Sequence, residues 1–122
     1  ALADHIGRHL RLNDDVKVII GRDESENEFL SRFRRGRWEF WAETLNGPTA
    51  LVEARRELRW EEIEQIAAIT ARYGQGRDLE RVVMCFRTPP DAEDSFVQID
   101  ERVVERVTIS PAVLEEIEPL RV

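Results

Sequence analysis

Few side chains in this sequence are of a type that does chemistry, and most of those are arginines. His5 and His9 are four residues apart, a spacing that puts two imidazoles on one helical face, as a zinc site needs. Gly7 lies between them, His9 falls in a strand pattern, and no closing pair follows, so two surface histidines is the plainer reading. Cys85 sits between Met84 and Phe86 in an apolar run, where a thiol is more often inert core than nucleophile. Arg87, two residues on, faces the same side of that strand and keeps a sulfur-carrier or redox role for Cys85 open. The sequence has no serine elbow and no paired histidine, and "GRDESENE" lacks the further glycines of a phosphate-cradling loop. No catalytic residue, metal or cofactor is expected in this segment.

Anion binding remains. A helix starting near Glu24 presents free N–H groups beside Arg22, a site for phosphate on physical grounds. Asp23, Glu24, Glu26 and Glu28 already complement that helix dipole, which opposes the idea. A second patch is "FRRGRW", where Arg32, Arg34, Arg35 and Arg37 lie about Phe33 and Trp38. Clustered arginine beside aromatics is what a surface that tracks a phosphate backbone and stacks bases requires. Trp41 is a third clue: its parity opposes Trp38, Phe40 and Ala42, so it points to the other side of its strand. If both sheet faces are covered, Trp41 is core instead. Asn27, beside an apolar helical stripe, faces back toward the strands, where its amide can tie a turn or do no more than satisfy local backbone.

Bulk properties bound these readings. The 122 residues make one domain, 1–122, large enough for a core without staples. The net charge is −7, but residues 91–122 hold nine acids against three arginines and carry −6 of it. The remainder is nearly neutral, so the overall acidity does not exclude RNA. Of 18 basic residues only Lys17 is lysine. Arginine suits bidentate phosphate recognition, although a GC-rich genome produces the same bias. One cysteine fits a reducing cytoplasm, and no apolar run nears the roughly 20 residues of a membrane span. The opening Ala1 suggests a piece of a longer protein.

The elements that must position these groups follow from period and punctuation. "HLRL" and "VKVII" read as strands joined at Asn13-Asp14-Asp15. Gly21 ends the second. Asp23 fits an N-cap, with Glu26 as its capping-box partner, for a helix to about Phe33. Gly36 suits a left-handed C-terminal position. "WEFWAE" and "ALVEA" are strands about the turn "LNGPT". Trp60, Ile63, Ile66, Ala67, Thr70 and Tyr73 mark an amphipathic helix ended by Gly74. "ERVVMCFR" reads as a central strand. "FVQI" and "VVERVTI" read as a hairpin, and Ser110-Pro111 opens a short helix stopped by Pro119. The order predicts an α+β fold: a mostly antiparallel sheet, two main helices packed on one face, and a short C-terminal helix.

The series "IIGR…ENEFL…WEFWAETLNGPTALVEA…IEQIAAITARYG", within residues 18–74, resembles the RNA-binding domain called NFACT-R. The Gly47-Pro48-Thr49 turn is most similar to the version fused C-terminally to thiouridylase-like tRNA-modifying proteins. The resemblance implicates Arg22, Asn27 and Trp41 in RNA contact and Gly21, Gly47, Pro48 and Tyr73 in the motif's structure. Glu39 stands where the family has aspartate, Glu43 where it has histidine and Gly74 where it has serine; the Glu43 change replaces a phosphate donor with an anion. The resemblance implies a non-catalytic tRNA-binding accessory domain, with the chemistry in an upstream catalytic domain of the same chain. An alternative is a protein-interaction domain whose acidic C-terminal third meets a basic partner or a second copy.

Overall fold

The computed structural model describes residues 5–90 and 103–122. In chain order it has β1 (Arg8–Asn13), β2 (Val16–Ile20), α1 (Glu24–Ser31), β3 (Trp38–Ala42), β4 (Ala50–Ala54), α2 (Trp60–Arg72), β5 (Val82–Arg87), β6 (Glu105–Ile109) and α3 (Leu114–Ile117), closed by a 3-10 turn over Glu118–Leu120. The strands form one six-stranded sheet in the order β1-β2-β4-β3-β5-β6, with every neighbouring pair antiparallel. This is the α+β class that the element order predicts. The expected strand "FVQI" lies outside the described residues.

Alternation along the strands sets two unequal cores. Val16, Val18 and Ile20 of β2, Phe40 of β3, Val52 of β4 and Met84 and Phe86 of β5 face one way and bury against Ile63, Ile66 and Ala67 of α2 and Ile117 of α3. The intervening Ile19 and Leu51 face the other way and close a smaller cluster with Leu30 of α1. The two main helices therefore sit on opposite faces of the sheet, where the sequence analysis expected one. The reason is that β2 and β4 are apolar on both sides, and a second helix must cover Ile19 and Leu51.

The element ends also differ from expectation. α1 stops at Ser31, and the Arg32 and Phe33 N–H groups tighten onto Phe29 O and Leu30 O. Gly36 does take a left-handed φ of 72°, but it serves the turn closed by Arg37 N–H to Arg34 O. α3 starts at Leu114 rather than Ser110, because Ala112 is buried and its N–H donates to Ala68 O of α2, holding the approach extended. Pro119 lies within the 3-10 turn. Trp60 opens α2 half exposed, touching Phe86 edge-on.

One buried carboxylate joins three segments on the α2 side. Glu62 accepts from Asn13 Nδ2 at 2.8 Å, from both terminal nitrogens of Arg56 at 2.8 and 3.0 Å, and from Arg59 N–H at 2.8 Å. The Arg56 hydrogen bond holds its carboxyl near 2, below the ordinary 4.5. A carboxyl whose pKa is lowered by folding stabilises the protein above its unfolded value, and that contribution fades as pH falls. Urea midpoints should therefore drop between pH 4.5 and about 2. Glu62→Gln should flatten much of that decline and cost about 2–3 kcal/mol at neutral pH. An unchanged pH profile would remove Glu62 from this role.

Candidate nucleic-acid interface

The sequence-predicted motif residues converge on one cleft. Gly21, Arg22 and Asn27 come from the β2–α1 junction, Gly47 and Pro48 from the β3–β4 turn, and Tyr73 from the end of α2. All six line a cavity of about 570 Å³, together with Asp23, Glu24, Asn46, Gly74, Gln75 and Arg77.

The cleft is built by close backbone approach. A Cβ on Gly21 would lie 2.0 Å from Asn27 Oδ1. That oxygen accepts the Thr49 N–H at 3.1 Å, and Gly21 N–H donates to Thr49 O at 3.1 Å. Asn27 thus ties the start of α1 to the entry of β4. On the other wall, a Cβ on Gly47 or Gly74 would stand 3.2 Å from the other's Cα. Gln75 N–H donates to Asn46 O at 2.9 Å and Gln75 Oε1 accepts from Asn46 N–H at 3.3 Å. Gly74, where the resembled family carries serine, is the residue that lets these two turns touch. Asn46 and Gln75 escaped the sequence reading because their pairing spans 29 positions and leaves no local pattern, and Arg77, bonded locally to Gly74, carries no motif of its own.

Arg22 is held rather than free. Its Nε and Nη2 donate to the two oxygens of Glu26 at 3.0 and 2.8 Å, and Nη2 also reaches His5 O at 2.7 Å. Arg22 N–H donates to Glu26 as well, at 2.9 Å. The Arg22 hydrogen bond is the main reason the Glu26 carboxyl sits near 2. Asp23 caps Glu26 N–H as expected, but Glu26 returns to Arg22 and not to the cap residue.

The other arginines gather at the opposite end of α1, about 12 Å away for eight residues at about 1.5 Å each. Arg32 and Arg35 are exposed and Arg34 half buried. Arg37 is paired with Glu53 at 3.0 Å and donates to Phe33 O. Next to Gly36, a shallow recess holds Arg11, Lys17 and Arg55 with Asp15 and Glu53. These three cations come from β1, β2 and the β4 end, and only cross-strand pairing joins them to the turn. The result is a basic surface broader than the sequence predicted.

Trp41 belongs to neither cluster. It is half buried on the sheet face that also bears Ile19 and Leu51, with the Arg87 guanidinium 4.8 Å from its ring centre. Arg87 also pairs with buried Glu39 at 3.5 Å, and Arg106 pairs with Glu43. Both glutamates that depart from the family pattern thus meet an arginine, Arg87 of the adjacent β5 and Arg106 of β6. Cys85, across from Trp41, is 3% exposed, and burial pushes its thiol up from the ordinary value. Neither property suits a sulfur carrier. His9 Nε2 bonds locally to Ile6 O, and among the described residues no group of three or more His, Cys, Asp or Glu is placed to hold a metal. Among the same residues no helix is long and apolar enough to cross a membrane.

Comparison with known proteins bears on the family and the fold. The family model described as "NFACT protein RNA binding domain" matches residues 7–109. No curated protein matches the chain. Among solved structures, the C-terminal part of the fibronectin/fibrinogen-binding protein from Streptococcus suis shares the fold with a TM-score of 0.70 at 16% identity. That alignment covers 100% of this chain and 51% of the other, so the chain spans about half of the structure it matches.

Gly21→Ala should destabilise the fold by about 2 kcal/mol, because Asn27 must swing away from Thr49. Adding Asn27→Ala removes the clash, so the double variant should be less unstable than the sum of the single variants in a urea cycle. Strict additivity would mean that the two residues do not share this contact. Cys85 should label with a thiol reagent only at the rate of unfolding; rapid labelling of the folded protein would restore a reactive role.

Proposed function

This chain belongs to the NFACT protein RNA binding domain family, and from that premise we propose that it is the tRNA-holding accessory domain of a thiouridylase-like tRNA-modifying protein. The domain binds RNA and is itself non-catalytic; the sulfur chemistry falls to another domain of the same chain. The observation that carries this reading is the family match over residues 7–109. The basic surface at the end of α1 gives that match a physical means. Exposed Arg32 and Arg35, with Arg11, Lys17 and Arg55, stand there beside Asp15 and Glu53, and phosphate contacts supply most of the affinity of sequence-tolerant RNA binding. The Gly47-Pro48-Thr49 turn, which resembles the thiouridylase-fused form, supports the choice of tRNA and of parent protein.

The contest is with a protein-interaction domain in which RNA has no part. Bulk tRNA should shift the purified domain in a gel while the domain elutes as a monomer from a sizing column. A dimer that leaves tRNA unshifted would favour the alternative. Replacing Arg34, Arg35 and Arg37 together by Ala should weaken tRNA binding at about 50 mM salt by tenfold or more and make its salt dependence shallower. An unaltered binding curve would detach these arginines from RNA.

A further inference from the structure

The cleft at the start of α1 differs in chemistry from the basic surface at its end. Its lining arginines, Arg22 and Arg77, are matched by Asp23 and Glu24, and Arg22 is already bound to Glu26. A phosphate gains little there. What the cleft offers is amide and ring. Among the described residues Asn46 bonds through its backbone alone, and the Gln75 side chain commits only Oε1. The Asn46 side-chain amide, Gln75 Nε2 and Asn27 Nδ2 have no protein partner among the described residues. Pro48 and Tyr73 contribute rings to the lining, and three glycines leave the floor without side chains. At about 570 Å³ the space falls within the range of small-molecule sites.

An uncharged, flat heterocycle edged with donors and acceptors satisfies these groups. Unpaired RNA bases are read this way, by stacking and by hydrogen bonds to their edges. We propose that this cleft receives one unpaired base of a single-stranded RNA segment while the basic surface at the other end of α1 holds the neighbouring phosphates. The proposal rests on the RNA-binding reading and adds a division of labour: the arginine surface supplies affinity, and the cleft requires a base free of pairing.

Asn46→Trp tests it, because the indole fills the cleft while both backbone bonds to Gln75 remain. With a short single-stranded oligoribonucleotide of mixed sequence, Asn46→Trp should bind about tenfold more weakly than the parent. The slope of log Kd against log salt should not change, since no phosphate contact is lost. The triple arginine variant should instead flatten that slope. In the parent, the amide resonances of Gly47, Gly74 and Gln75 should move on adding the single strand and stay in place with a blunt RNA duplex; this reading holds even if Asn46→Trp folds poorly. If the parent binds the oligonucleotide but those amides do not move, or the duplex moves them equally, the base site is overturned and the RNA-binding reading stands. If the parent binds neither RNA, both fall together.

Discussion

A missing Cβ is the constraint on which the rest of this structure depends. At Gly21 the chain leaves β2, and the space a side chain would fill is taken by the Asn27 amide oxygen. Only that approach lets Asn27 accept the Thr49 N–H, joining the first turn of α1 to the entry of β4. The tether fixes where α1 begins, so Leu30 seats on Ile19 and Leu51 and closes the smaller core. It also sets one wall of the cleft. A second glycine contact, Gly47 against Gly74, sets the other wall by letting the β3–β4 turn touch the end of α2. Fold and site thus share their parts: the contacts that seat the two helices on opposite faces also leave the cleft open between their ends.

Charge is distributed with the same economy. Glu26 gathers the Arg22 guanidinium and backbone N–H. Arg22 therefore acts first as a strut between the N-terminal segment and α1. Glu62 does a comparable service at the other helix, where Arg56, Asn13 and Arg59 N–H surround it. Arginines spent in this way cannot count fully as an RNA surface. At the far end of α1, Arg32 and Arg35 are exposed and Arg37 pairs with Glu53. They also lie near the helix C-terminus, whose partial negative charge favours cations.

The legible part of the sequence was the part with period or punctuation. The strand pattern "WEFWAE" predicted β3 and the parity of Trp41, because alternation is a local property. "ALVEA" returned β4 with the same bounds. Half of the cleft lining was reached through an ordered motif series, Gly21, Arg22, Asn27, Gly47, Pro48 and Tyr73, which the structure gathers. What was not legible needed the third dimension. The split of the helices over two faces follows from Ile19 and Leu51 facing away from Val18 and Val52, a distinction that an apolar run such as "VKVII" hides. The basic recess joins Arg11, Lys17 and Arg55 by cross-strand register. The pairing of Glu39 and Glu43 with Arg87 and Arg106 runs over tens of residues and leaves no trace in spacing.

That last pairing sets the charge of the tryptophan strand. The strand with Glu39, Trp41 and Glu43 is where the resembled family carries aspartate, tryptophan and histidine, and an unpaired glutamate there would repel phosphate. Here each glutamate faces an arginine, so this part of the sheet is close to neutral, and the indole of Trp41 has a guanidinium over its ring. A neutral lattice of paired charges offers a phosphate backbone no net attraction, and opening a buried pair such as Glu39–Arg87 leaves an uncompensated charge. The surplus of positive charge lies instead at the end of α1, on the same side of the sheet as Ile19 and Leu51. On the proposed RNA-binding reading, the electrostatic part of recognition therefore falls to the α1–β3 turn and not to the tryptophan strand, with the cleft at the opposite end of the helix.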